Sequence, residues 1–114
     1  MKTTTYRRFT LDEAVDWVKH LCEAKGCSPA VADSLAHATV AAQARGNQAV
    51  GFRHLADYLP GFSSGRINPR AEPCISRAGA IIFKSDAQGG IAQLGVDRCF
   101  DSLCDAAHAN GMAA

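Results

Sequence analysis

Helical periodicity runs through most of this 114-residue chain, and apart from its last three residues only one stretch, Cys74 to Ser85, reads as strand. That imbalance is the strongest constraint on what the chain can fold into. Three helices, one short hairpin and one long helix leave apolar side chains such as Leu94, Cys99 and Leu103 without cover. A helix or sheet must bury its apolar face against another layer, so a further surface is expected to complete the structure.

The helix boundaries are written in local chemistry. Thr10-Leu11-Asp12-Glu13 is a helix start, with Thr10 as cap and Glu13 completing a capping box. Ala14, Val15, Val18, Leu21 and Cys22 then recur at helical spacing, and Gly26 is the expected stop. Ser28-Pro29 opens a second helix, a cap followed by a first-turn proline. Its apolar side is expected to carry Val31, Leu35, Ala38 and Ala42, with Thr39 on the same face, up to Arg45-Gly46. A third, short helix is predicted from Val50 to Phe62, with Pro60-Gly61 disturbing its end.

Ser63-Ser64-Gly65 reads as a turn and residues 67–73 as an irregular extended segment. Cys74–Arg77 and Ala80–Ser85 are expected strands, joined across Ala78-Gly79. After the loop Asp86–Gly90 a long helix is predicted from Ile91 to Asn110, and Met112-Ala113-Ala114 reads as the start of another strand. No internal boundary or repeat divides residues 1–114.

A net charge of +1 gives no electrostatic reason to expect nucleic acid or an anionic membrane as partner. No apolar run approaches the ~20 residues of a membrane helix. The stretch Met1 to Arg8 is not followed by an apolar signal core, so a cytoplasmic location is expected. Five cysteines, an odd number with no C-x-x-C pair and no histidine at matching spacing, point to reduced thiols and to no metal site. Gly89-Gly90 after an apolar strand is not a G-x-G-x-x-G loop and is read as a tight turn into a helix.

The segment Arg45 to Tyr58 carries the most specific pattern: Arg45-Gly46, then Gly51, Leu55 and Tyr58. It resembles the signature of the malate/L-lactate dehydrogenase-like family of NAD(P)-dependent oxidoreductases, which is distinct from the Rossmann-fold lactate dehydrogenases. The block from Asp86 to Gly111, with Gln93, is similar to another segment of that family, so the resemblance covers roughly Leu11 to Ala114. It implies an α/β fold of which this chain supplies an α+β-like N-terminal portion: helices, a hairpin and a long helix, with most of the sheet contributed by another chain. It also implies an oligomer, a dimer of the completed unit.

The resemblance breaks where chemistry is expected. The family's Ser-His-Gly is Ala49-Val50-Gly51 here, and its substrate-binding arginine is His54. Val50 has no titratable group and cannot act as a general acid. The first functional expectation is therefore a two-chain, autoprocessed hydrolase of amide, imide or lactam bonds, with no cofactor. Its nucleophile would be the first residue of a partner chain that continues the fold after Ala114. The alternatives are a divergent NAD(P)H-dependent reductase of 2-oxoacids or cyclic imines, and a family member that no longer catalyses. In both enzyme readings a small molecule is the expected substrate, whereas the third makes the fold a binding or structural module. Gln48, Arg53, His54 and Tyr58 are the candidate substrate-binding residues, His54 is the candidate catalytic residue, and no residue is assigned to a cofactor.

Overall fold

Thr10 Oγ1 accepts the Glu13 N–H at 3.1 Å and starts α1, Leu11–Ala24. Ser28 Oγ accepts the Val31 N–H at 3.3 Å and starts α2, Pro29–Ala44. These two helices pair through Ala14, Val18 and Cys22 on one side and Val31, Leu35 and Val40 on the other, all buried. The structure is a computed structural model and describes residues 4–114; Met1 to Thr3, part of the N-terminal stretch read above, lie outside the described residues.

The buried positions of α2 spread wider than one stripe, over Val31, Ala32, Ser34, Leu35, Ala36, Thr39 and Val40, whereas the expected core position Ala38 is exposed. The reason is that α2 is covered on two sides, by α1 and by the last helix, α4, Ala92–Asn110. Ser34 Oγ donates to Asp97 Oδ2 of α4 at 2.5 Å, which fixes that second contact. Cys22 and Cys27 meet in the same core, and their mutual hydrogen bond, together with burial, pushes the Cys27 thiol up.

The third helix departs from the sequence expectation. Gln48–Val50 and Phe52–His54 are separate 3₁₀ turns, and the α-helix α3 runs only over Leu55–Ser64. Gly51 divides the two turns with φ −93° and ψ −139°. Gln43 of α2 enforces the break: its Oε1 accepts the Phe52 N–H at 3.1 Å. A side chain at Gly51 would overlap that oxygen. Pro60 sits inside α3 and does not end it; Gly65, at φ +78°, does.

β1, Cys74–Ala78, pairs antiparallel with β2, Ile82–Asp86, in the register Cys74 to Asp86 and Ala78 to Ile82. The strand expected from Ala80 thus begins two residues later, because the turn extends from Gly79 through Ile81. On the far edge of β2, Ala114 N–H donates to the Ile81 carbonyl and Phe83 N–H donates to the Ala114 carbonyl, each at 2.8 Å. One residue bonding to both neighbours of Ile82 in this way is a parallel pairing. After α4 the chain thus returns with Ala114 parallel to β2, the connection of a β-α-β unit. Phe83 and Ile75 are half-buried under α4, while Val96 and Phe100 on its outer side are exposed. The Cα radius of gyration is 16.2 Å, against about 13 Å for a compact domain of this length.

Candidate active site

His54 closes the second 3₁₀ turn and Tyr58 lies one turn into α3, so the i, i+4 spacing sets both rings on one face. The rings meet edge to face with centroids 4.7 Å apart. Tyr58 is held from the other side by Gln93 at the start of α4, whose Nε2 donates to the phenol oxygen at 3.0 Å. Because that oxygen accepts from Gln93, its own O–H is left to donate elsewhere. The Gln93 Oε1 is buried and has no hydrogen-bond partner among the described residues.

His54 and Tyr58 line a cavity of about 490 Å³ together with Asp57, Arg66 and Ile67. Arg66 enters because the left-handed turn at Gly65 folds the chain back along α3. Its Nη2 donates to the Asp57 carbonyl at 3.1 Å. Gly61 makes the approach possible: a Cβ there would lie 2.8 Å from Arg66 Nη2 and 2.7 Å from Ile67 Cδ1.

Of the residues proposed from sequence, the structure brings together His54 and Tyr58. Gln48 and Arg53 are exposed and do not line this cavity. Val50 is 47 % exposed and is also outside it, because the break at Gly51 removes the helical turn that would have aligned it with His54. Phe52 turns the other way and packs edge to face on Trp17, centroids 5.6 Å apart. Asp57, Arg66 and Ile67 are the cavity residues not proposed from sequence. The available signal was the position of Arg66 directly after the helix-ending Gly65. Among the described residues no three His, Cys, Asp or Glu side chains gather as a metal site, and no helix is long and apolar enough to cross a membrane.

The chain is 31% identical over 101 residues to a Δ1-pyrroline-2-carboxylate/Δ1-piperideine-2-carboxylate reductase of Pseudomonas syringae pv. tomato, covering 89% of this chain and 29% of that protein. A reductase of the same name from Pseudomonas putida is 31% identical over 111 residues, 97% of this chain and 33% of the relative. The crystal structure of the Pseudomonas syringae Δ1-piperideine-2-carboxylate reductase superposes with a TM-score of 0.85 at 28% identity, over 91% of this chain and 31% of that one. Malate dehydrogenase from Pyrococcus horikoshii OT3 has the same fold over 93% of this chain and 30% of its own, with a TM-score of 0.78 at 24% identity. The chain thus spans about a third of the length of its relatives.

These relatives are reductases and dehydrogenases, and they overturn the expectation of an autoprocessed hydrolase. That expectation leaned on the lost Ser-His pair and the lost arginine, with the small residues Met112-Ala113-Ala114 as a minor point. Small residues also suit a strand, and Ala114 is hydrogen-bonded to β2 as one. The family profile described as malate/L-lactate dehydrogenase matches residues 9–114, and the chain belongs to that family.

Proposed function

We propose that this chain is the substrate-site portion of an NAD(P)H-dependent reductase of small cyclic imines that carry a 2-carboxylate. The observation that carries this reading is the similarity to Δ1-pyrroline-2-carboxylate/Δ1-piperideine-2-carboxylate reductases across nearly the whole chain, at 31% identity. Reducing such a ring adds hydride to carbon and a proton to nitrogen. With Val50 unable to give a proton, His54 is the group that supplies it, and Tyr58 packs against its ring and helps position it.

The nicotinamide cofactor supplies the hydride when bound. The Gly89-Gly90 loop offers no G-x-G-x-x-G cradle for a nucleotide phosphate and is closely packed, since a Cβ at Gly90 would lie 2.6 Å from the Ala71 Cβ. Cofactor binding is therefore assigned to further polypeptide. The same polypeptide, continuing the sheet beyond the Ala114 pairing and covering Val96 and Phe100, is the partner we propose, and the completed units are proposed to dimerise.

The replacement of Ser-His by Ala49-Val50 favours a second reading, a family member that binds without turnover. One experiment separates the two. The complete gene product is mixed with NADH or NADPH and Δ1-piperideine-2-carboxylate, and loss of cofactor absorbance is followed. Turnover that falls ~10²-fold in His54→Ala supports the reductase with His54 as acid. Substrate binding without any cofactor oxidation supports the second reading.

A further inference from the structure

The cavity at His54 contains a cation that the reduction itself does not use. Arg66 has no carboxylate partner among the described residues, where the cations that do are Lys19, paired with Asp33, and Arg98, paired with Glu72; His37 also lies beside Asp33. Its guanidinium carries five N–H donors. One contact, to the Asp57 carbonyl, is made by Nη2, which anchors the group and leaves the other donors open. Gly61 is the second device: by lacking a side chain it lets the guanidinium lie against α3 at 2.8 Å from where a Cβ would stand. An arginine anchored on one side and open on the other is a pre-organised receptor for a carboxylate.

The wall around it narrows the ligand further. Asp57 and His54 line the same cavity, so its charged and titratable groups are Arg66, Asp57, His54 and the phenol of Tyr58. A dianion would meet the Asp57 carboxylate as well as the arginine. A small ring with one carboxylate and a cationic ring nitrogen matches both charges, and a cavity of about 490 Å³ accommodates a five- or six-membered ring.

We infer that Arg66 is the carboxylate-binding residue of this site, and that the ligand is a zwitterionic cyclic 2-carboxylate whose nitrogen lies on the side of the cavity lined by His54 and Asp57. This rests on the proposed reductase reading for the identity of the ring, but the carboxylate subsite stands or falls by itself.

The test is calorimetric titration of the complete gene product with L-pipecolate, the reduced form of a piperideine-2-carboxylate, and with its 2-carboxamide. Losing a charge-assisted hydrogen bond corresponds to about a tenfold or larger drop in affinity. Arg66→Gln is expected to weaken L-pipecolate by that factor and leave the carboxamide unchanged, while Arg66→Lys keeps part of the affinity. Equal L-pipecolate affinity in wild type and Arg66→Gln overturns the inference, as does an equal loss for acid and amide. If the protein oxidises NAD(P)H with the imine but Arg66→Gln leaves KM unchanged, the subsite is wrong and the reductase stands. If no turnover occurs yet L-pipecolate binding depends on Arg66, the subsite stands and the reductase reading falls.

Discussion

Gly51→Ala is the substitution for which the structure gives the clearest magnitude. The new methyl would overlap Gln43 Oε1 and lie 3.1 Å from both Cα and Cβ of Gln43, so backbone as well as side chain resists it. Displacing the amide also breaks its bond to the Phe52 N–H, 3.1 Å long and part-buried. Overpacking of this kind costs about 1–3 kcal/mol, and the lost hydrogen bond about 0.5–1.5 kcal/mol. The sum is about 1.5–4.5 kcal/mol. Urea unfolding followed by fluorescence suits the site, because Trp17 is the only tryptophan in the sequence and packs on Phe52. The native emission should shift along with the midpoint. Gln43→Ala alone should cost about 1 kcal/mol, and in that background Gly51→Ala should cost about half as much as in wild type, the backbone contact remaining. An effect of Gly51→Ala below about 0.5 kcal/mol, or the same effect in both backgrounds, would show that Gln43 does not dictate the glycine.

Two further outcomes follow from the site and the core. Gln93→Leu removes the donor to Tyr58 and a buried oxygen without a partner at once, so stability should change by less than about 1 kcal/mol, while any turnover attributed to His54 should fall; unchanged turnover would make Gln93 a packing residue only. Cys27 is held protonated by its bond to Cys22 and by burial, so iodoacetamide at neutral pH should label the exposed Cys74 well before Cys27; equal labelling would contradict the packing described.

Legibility in the sequence followed the range of the interactions. Thr10 and Ser28 announced their helices because a cap bonds to a backbone only three residues away. His54 and Tyr58 could be paired because four residues on one helical face is also a local rule. The break at Gly51 was hidden, since its cause is a side chain on α2 that no local pattern ties to Phe52. Arg66 was hidden for the same reason: its role depends on where the chain returns after Gly65, and alone it reads as a surface charge. The hydrolase expectation failed differently. Missing catalytic letters say what a site has lost, and give little warrant for any particular replacement chemistry.

The two edges of β2 also differ in when they can form. The hairpin with β1 closes across a three-residue turn, an event of microseconds. The parallel edge must wait for a 19-residue helix to wind and fold back before Ala114 can reach Ile81 and Phe83. Loop-closure entropy makes such non-local pairing slow relative to local contacts. During that interval β2 has one satisfied edge and one open one. The nascent chain is then most exposed to pairing with the wrong strand, and the speed with which α4 docks on α2 through Ser34 and Asp97 sets how long that exposure lasts.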